Sequence, residues 1–383
     1  MMIYLDYAAT TPMSDESMLT FQQASKQYFG NEQSLHDIGS SASTLLKTCK
    51  KTLANLLHAK EQGIYFTSGG SESNYLALHS LITAHQEKGK HIITTPIEHA
   101  SIRNYFRELE KQGFAITYVP VDRFGVVDIE ALEAAIQEDT ILASIQHANS
   151  EIGTIQPLRK IGRLLKAHNV LFHTDCVQTF GKIPIQVEDM YIDSLSISAH
   201  KIYGPKGVGA CYINPQVQWQ PIFEGTSHEG GFRPGTVNVP GIAAFLTAAQ
   251  AIIEAQEKEA KRLKELREFF VQGLQEIPHP IFIEGHPVSS LPNIVAVTIQ
   301  GIEGQYTMLE CNRSGIAISV GSACQIGKQE PSRTMLAIGK EPEEAKQYVR
   351  FSLGKYTTKQ EIETTLQVLR TMIYQFFGGA ITK

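Results

Sequence analysis

Short apolar runs alternate with longer amphipathic stretches through the first half of the chain. The apolar runs predict β-strands at Ile64–Thr67, His91–Thr95, Ala115–Val119, Ile141–Ala148 and Val170–Asp175. Helical patterns lie between them, the clearest being Asn74–His85 and Glu130–Gln137. Strands that alternate with helices are typical of a mostly parallel sheet with helices on both faces. We therefore predict an α/β fold.

The pattern changes in the second half. A long helical stretch runs from Pro240 to about Glu276, and its charges, at helical spacing, suggest a solvated face. Beyond it, short strands at 294–299, 316–319 and 349–352 and helices at 306–312 and at the end indicate a smaller α+β unit. A chain of 383 residues exceeds what one core usually supports. We expect a large domain over 15–255 and a small domain made of 1–14 and 256–383.

Composition narrows the class of protein. Hydrophobic residues make up 42% and charged residues 19%, and the net charge is −5, which argues against a nucleic-acid or membrane-surface binder. No apolar run approaches the length of a membrane span, and the N-terminus lacks the pattern of a signal peptide, so we expect a cytoplasmic protein. The five cysteines are scattered and odd in number, which suits reduced thiols rather than disulfides or a zinc site.

The segment Ser196–Gly209 carries the strongest chemical signal. It reads SISAHKIYGPKGVG, a strand end followed by glycine turns, so Lys201 is expected where a strand delivers it into a site. A lone lysine beside a turn is usually a surface residue. Here Ser-x-His-Lys before a glycine turn resembles the Schiff-base lysine segment of class V aminotransferase-type pyridoxal-phosphate enzymes. The glycine spacing does not fit a dinucleotide-binding fingerprint.

A glycine-rich loop precedes the helix that follows the strand Ile64–Thr67. Its sequence is SGGSES, and glycines there would let backbone N–H groups and a helix start hold an anion. The alternative is an ordinary helix with Ser71 as its N-cap. Beside Lys201, Gly70 and Ser71 are predicted to bind the cofactor phosphate.

Polar residues end three of the other predicted strand units. His99 follows the second strand, Asn149 and Ser150 follow the fourth, and Asp175 and Gln178 end the fifth. Ligands of open α/β sheets bind at this edge. A buried Asp175 needs a cationic or hydrogen-bonding partner.

The family resemblance gives these residues roles. It implies that His99 stacks on the pyridine ring and moves protons, that Asp175 pairs with the ring nitrogen, and that Gln178 donates to the ring oxygen. Where the family shows Asn-Asn-Glu this chain has Asn149-Ser150-Glu151, so either Asn149 or Ser150 could contact the cofactor.

The same resemblance implies a pyridoxal-phosphate-dependent fold of type I with a smaller C-terminal α+β domain. Lys201 would anchor the cofactor, and Ser198, Ala199 and His200 would complete its site. Thr236, in the turn FRPGTVN, would reach the partner's cofactor phosphate and so make the unit a homodimer.

A small, polar, glycine-bearing loop carries Cys324. The loop reads SVGSAC from Ser319, and a cysteine in such a setting can form a reactive thiolate, although most are plain loop cysteines. With Glu330–Ser332 after it, the loop closely resembles the active loop of NifS/IscS-type (group I) cysteine desulfurases. Arg350 resembles that family's carboxylate-binding arginine, and a guanidinium fork fits an amino acid carboxylate.

The resemblance covers essentially the whole chain and implies conversion of L-cysteine to L-alanine with a persulfide on Cys324. It further implies transfer of the sulfur to an acceptor protein, either the tRNA 4-thiouridine sulfurtransferase or an iron–sulfur scaffold. Alternatives on the same fold are a selenocysteine lyase, a group II desulfurase and a non-catalytic scaffold.

Overall fold

A computed structural model describes residues 2–321 and 331–378 of the chain. Its strands, numbered in chain order, are β1 (Ile3–Tyr4), β2 (Ile64–Thr67), β3 (His91–Thr94), β4 (Ala115–Tyr118), β5 (Thr140–Ser144), β6 (Leu171–Asp175), β7 (Ser194–Ser198), β8 (Gly209–Ile213), β9 (Ile281–Glu284), β10 (Ile294–Ile299), β11 (Ile316–Ala317) and β12 (Tyr348–Ser352).

The α-helices lie between these strands and, in the case of α12, after β12. They are α1 (Asp15–Gln27), α2 (Asp37–Leu57), α3 (Gly70–His85), α4 (Ala100–Lys111), α5 (Ile129–Ala135), α6 (Leu158–Ala167), α7 (Val239–Glu254), α8 (Gln256–Gln275), α9 (Gly304–Arg313), α10 (Arg333–Ala337), α11 (Pro342–Ala345) and α12 (Lys359–Phe376). The first strands and helices match the predicted alternation.

The large sheet has the strand order β2-β8-β7-β6-β5-β3-β4 within the described residues. Strands β3 to β7 run parallel, and β8 is antiparallel to both of its neighbours. The predicted α/β class is therefore confirmed. Because the parallel strands end at one edge, the loops after them meet there.

A second core lies in the C-terminal half. Strands β9, β10 and β12 form an antiparallel sheet, and its core residues run from Leu263 to Ile373 with Leu5 from the N-terminus. Short β1 pairs with β11, which ties the start of the chain to this half. This grouping is compatible with a small domain of 1–14 and 256–383, whose boundaries stay a prediction.

The predicted long helical stretch from Pro240 to about Glu276 is helical, but it is divided into two helices. These are α7 and α8, which meet at Ala255 with a bend of 69°. The physical reason is burial: α7 is almost wholly apolar and packs in the large core, whereas α8 is charged and buries only one side. No single helix in the described parts of the chain is long and apolar enough to cross a membrane. The bent pair α7 and α8 together has the length and apolar composition of a span.

Candidate active site

Lys201 lies directly beyond the carboxyl end of β7, in a short 3₁₀ turn over Ala199–Lys201. Its Nζ donates to the carbonyl oxygens of Ala8 and Ala9, at 2.6 and 2.8 Å. These carbonyls belong to the N-terminal stretch after β1, which crosses the sheet edge. The strand end thus delivers the amine to the edge, as the sequence predicts.

Asp175 is the last residue of the neighbouring strand β6 and is only 8% exposed. Its carboxylate accepts from Asn74 Nδ2 at 2.8 Å and from the Val177 N–H at 2.9 Å. Gln178 lies one turn further on, where its Nε2 donates to Ala8 O at 3.0 Å. The Ala8 carbonyl oxygen therefore accepts hydrogen bonds from both Lys201 and Gln178, the predicted donor to the ring oxygen.

The glycine loop after β2 differs from the prediction at one point. Helix α3 begins at Gly70 rather than Asn74, and Gly69, not Ser71, occupies the N-cap position. The polar residues before Asn74, which the sequence suggested were loop, form the first turn of α3. They do so because Glu72 accepts from the Ser68 N–H and the Ser73 hydroxyl donates to Ala210 O in β8. Gly70 and Ser71 therefore present first-turn N–H groups, which have no partner within a helix.

Two glycines set how closely this loop approaches the sheet edge. A Cβ on Gly70 would lie 2.6 Å from Val177 Cγ2 and 3.5 Å from Ser198 Cβ. A Cβ on Gly209 would lie 2.6 Å from the Cα of Gly69. Since atoms do not pack at such distances, only glycine permits this approach at either position. The helix start, Ser198 and the turn after Asp175 are thereby brought together.

His99 is the N-cap residue of α4. Its Nδ1 accepts from the Ser101 N–H at 3.2 Å, so in the neutral ring the proton sits on Nε2. Burial lowers the pKa of His99, and Lys201 and Arg103 lower it further, against the opposing charges of Asp175 and Glu151. At neutral pH the ring is therefore an uncharged donor at Nε2.

His200 and Ala199 lie beside Lys201 but have local partners. His200 Nδ1 lies 3.1 Å from Thr10 Oγ1, and burial, with the nearby lysines, lowers the pKa of His200 to about 4. The Ala199 N–H donates to Val208 O at 3.1 Å. Both residues shape the lysine turn.

Asn149 and Ser150 occupy a turn that follows β5. Asn149 is 2% exposed; its Oδ1 accepts from the N–H groups of Glu151 and Ile152, and its Nδ2 donates to Ile97 O at 3.2 Å. Ser150 is less buried, and its carbonyl accepts from Arg350. The Asn149 amide is thus bonded to its own turn through Oδ1 and to Ile97 through Nδ2, and the cofactor contact of either residue stays a prediction.

Arg350, in β12, is 3% exposed and is held from both sides. Nη1 donates to Ser150 O at 2.8 Å, and Nη2 pairs with Asp6 Oδ1 at 2.8 Å. Its Nε has no hydrogen-bond partner among the described residues. Sequence reasoning missed Asp6, although the residue stands in the LDYAAT stretch that also supplies the carbonyl oxygens for Lys201.

The remaining predicted residues are Cys324 and Thr236. Cys324 falls in residues 322–330, outside the described residues. Thr236 is solvent-exposed in the loop before α7. The four described cysteines are buried, and burial raises the pKa of each thiol to about 12.

Similarity to known proteins supports the same assignment of chemistry. The family described as aminotransferase class-V matches residues 3–365. The chain belongs to the class-V aminotransferase family. Within the family it is 46% identical over 379 residues to the "Putative cysteine desulfurase NifS" of Bacillus subtilis, covering 98% of this chain and 96% of that one.

Two further similarities span nearly the whole chain. The "Cysteine desulfurase IscS" of Dictyoglomus turgidum is 42% identical over 371 residues, covering 97% of this chain and 94% of the relative. A solved structure titled "NIFS-LIKE PROTEIN" superposes with a TM-score of 0.92 at 34% identity, covering 98% of this chain and all of that one. The resemblance drawn from the sequence is confirmed.

The site fits pyridoxal 5'-phosphate, the cofactor of this class-V enzyme. The Ser198 hydroxyl is buried and has no hydrogen-bond partner among the described residues, beside the N–H groups that open α3. A phosphate would satisfy both. Lys201 would hold the aldehyde carbon, and Asp175 the ring nitrogen.

Proposed function

We propose that this protein is a cysteine desulfurase that converts L-cysteine to L-alanine and holds the released sulfur as a persulfide on Cys324. The observation that carries the activity is the near full-length match to relatives named cysteine desulfurase. The cofactor and substrate residues gathered at the sheet edge are compatible with it. When bound, pyridoxal phosphate withdraws electrons from the substrate carbons.

Arg350 binds and orients the substrate. Asp6 and the Ser150 carbonyl fix the guanidinium plane, so little side-chain freedom is lost when a carboxylate arrives. The unpartnered Nε provides a donor that a carboxylate can satisfy. Burial strengthens this charge-assisted bond.

Lys201 and His99 handle protons. Lys201 Nζ removes the proton from the substrate α-carbon, and its position beside the Ala8 carbonyl keeps the amine at the sheet edge. His99, neutral with its proton on Nε2, can donate a hydrogen bond from Nε2 without placing a positive charge in the resting site.

Cys324 accepts the sulfur. Its Sγ bonds to the substrate sulfur, the substrate Cβ–S bond breaks, and Cβ takes up a proton, so that L-alanine leaves and a persulfide remains. A thiolate is the attacking species. The described cysteines are poor candidates, because burial raises their thiol pKa to about 12.

A pair of matched variants tests this assignment. Cys324→Ser should abolish formation of alanine and persulfide from L-cysteine while the protein still binds pyridoxal phosphate, which its absorbance reports. Cys49→Ser, at a buried cysteine, is the control and should keep both products. Normal alanine production by Cys324→Ser would refute the nucleophile, whereas a Lys201→Ala variant that retained full activity would refute the cofactor anchor.

We also propose that the active unit is a cytoplasmic homodimer in which Thr236 completes the partner's phosphate site. In support, two apolar side chains are open to solvent: Leu35 is fully exposed and Phe223 is 60% exposed. The loops that carry them lie side by side, because Ser227 Oγ donates to Gln33 Oε1 at 3.0 Å. Light scattering should give twice the chain mass. Thr236→Ala should weaken cofactor binding without dissociating the dimer, and a monomer with full activity would refute this assembly.

The proposed acceptor of the persulfide sulfur is a protein, either the tRNA 4-thiouridine sulfurtransferase or an iron–sulfur scaffold. Loading Cys324 with radioactive sulfur and offering both purified acceptors distinguishes them. Transfer to the scaffold alone would rule out the role in tRNA thiolation.

A further inference from the structure

Asn74 is a buried amide on α3 that the mechanism above does not use. It is 1% exposed and lies about one turn beyond Gly70 and Ser71, whose N–H groups open the same helix. Its Nδ2 donates two hydrogen bonds, to Asp175 Oδ2 at 2.8 Å and to Ser101 Oγ at 3.0 Å. One side chain thus joins the end of β6 to the first turn of α4.

The Ser101 hydroxyl continues this chain of hydrogen bonds to His99. Ser101 Oγ lies 2.8 Å from His99 Nδ1, the nitrogen that also accepts from the Ser101 N–H. Because Nδ1 is an acceptor and Ser101 Oγ already accepts from Asn74, the hydroxyl donates its hydrogen to His99. Asp175, predicted to meet the ring nitrogen, and His99, predicted to meet the ring face, are therefore connected through Asn74.

Its partners allow the Asn74 amide only one orientation. A carboxylate has no hydrogen to donate, so the NH2 group of the amide must face Asp175. The other end, Oδ1, lies 3.4 Å from His173 Nε2, and His173 Nδ1 lies 3.1 Å from Ser194 Oγ. Burial lowers the pKa of His173 to about 3, so its ring is neutral and carries one proton. With that proton on Nε2, His173 donates to the Asn74 carbonyl and accepts from Ser194.

We propose that Asn74 is a positioning residue whose one amide holds both Asp175, the predicted partner of the ring nitrogen, and the turn that places His99 at the ring face. This role rests on the proposed function and on the cofactor contacts predicted for those two residues. Asp175 Oδ1 accepts from the Val177 N–H and Oδ2 from Asn74, so loss of the amide would release one of the two carboxylate oxygens. Hydrogen bonds to a carboxylate are about twice as strong as neutral ones, so this loss should be felt.

Helix α3 is also the helix whose first N–H groups are predicted to bind the cofactor phosphate. Backbone hydrogen bonds within the helix fix Gly70 and Asn74 relative to each other. Asn74 therefore keeps the two ring contacts in register with the phosphate site. Loss of its amide should loosen the ring end of the site, and a misplacement of about 1 Å at a reacting group can lower a rate by roughly two orders of magnitude.

The first test is equilibrium titration of the full chain, freed of cofactor, with pyridoxal phosphate. Asn74→Ala should bind about tenfold more weakly, because Asp175 loses a charge-assisted partner. Asn74→Asp keeps the shape but sets a second carboxylate against Asp175 Oδ2, so it should bind at least as weakly as Asn74→Ala. Asn104→Ala, at an exposed amide on α4, is the matched control and should keep native affinity. Native affinity in Asn74→Ala, or tighter binding by Asn74→Asp than by Asn74→Ala, would overturn the proposal.

A double-mutant cycle separates positioning from general damage to the fold. If Asn74 acts through Asp175, Asn74→Ala should weaken cofactor binding about tenfold in the wild-type background but less than about threefold in an Asp175→Ala background. Equal factors in the two backgrounds would mean that Asn74 supports the fold without acting through the carboxylate, and would also overturn the proposal.

Ser101→Ala interrupts only the branch to His99 and keeps the test possible should the Asn74 variants fail to fold. Cofactor affinity should stay within about twofold of the wild type, while the rate of alanine formation at saturating L-cysteine falls about fivefold. Ser101→Thr keeps a hydroxyl and should restore most of that rate; a native rate in Ser101→Ala would overturn the link to His99. Failure of the desulfurase function would show separately, as a wild type that forms no alanine, and the titrations would still decide the role of Asn74.

Discussion

Replacing Glu98 by glutamine tests the electrostatics behind the sheet edge. Glu98 precedes His99 and is 2% exposed. Its Oε1 accepts from Thr95 Oγ1 at 2.8 Å and from the Gln146 N–H at 2.9 Å, whereas Oε2 has no partner among the described residues. Burial raises the pKa of Glu98 from 4.5 to about 8; Asp175 raises it further, and the two hydrogen bonds and Arg103 oppose the rise.

The sign and size of the effect follow from linkage. Between these two pKa values the native state holds a proton that the unfolded state has lost, so stability contributed by Glu98 is present below pH 4.5 and is lost as the pH rises towards about 8. From about pH 6 to about pH 9 the wild-type protein should therefore lose about 2–3 kcal/mol through this one group. Glu98→Gln cannot ionise and should lack this loss.

The assay is urea unfolding of the holoenzyme, wild type and Glu98→Gln, at the two pH values with equal excess cofactor. The difference in unfolding free energy between the two proteins should move by about 2–3 kcal/mol in favour of the variant on going from about pH 6 to about pH 9. Glu87→Gln, at an exposed carboxylate, should show no such movement. A constant difference between wild type and Glu98→Gln would refute the reasoning, since it would mean that Glu98 ionises normally in the folded protein.

Three further changes follow from the contacts described above. Gly209→Ala would place a Cβ 2.6 Å from Gly69 Cα and so displace the start of α3. The variant should bind pyridoxal phosphate about tenfold more weakly in an equilibrium titration. An unchanged affinity would contradict the role of that close approach. Arg350→Lys loses the bidentate fork and should raise KM for L-cysteine by about tenfold or more while the absorbance of bound cofactor stays the same; an unchanged KM would contradict carboxylate binding by Arg350. Burial lowers the pKa of Lys182 from 10.5 to about 7, and the charges of Lys201 and Arg350 lower it further. The folded state therefore loses stability as the pH falls from 10.5 towards 7. In urea unfolding, Lys182→Met should be stabilised over the wild type by more at about pH 7 than at about pH 10, and equal stabilisation at both pH values would refute this.

The linear motifs allowed much of the candidate site to be predicted. Lys201 and His99 follow parallel strands of the large sheet and Asp175 ends one, and the alternation of strands and helices along the chain already implies that such ends converge. The helix start at Gly70 was misplaced by four residues, because its polar first turn reads as a loop until Ser73 is seen bonded to Ala210. Propensity could not anticipate that tertiary contact.

The fold class, the family, the cofactor and the order of the site residues could be predicted from the linear chain, because these depend on local periodicity and on motifs that are continuous in the chain. Which distant residues form an ion pair or a hydrogen bond became known from the folded structure. Asp6 meets Arg350 across 344 positions and Glu151 meets Thr334 across 183. Such pairings, and the raised pKa of Glu98, arise from burial and distance in the folded chain, which no pattern of neighbouring residues records.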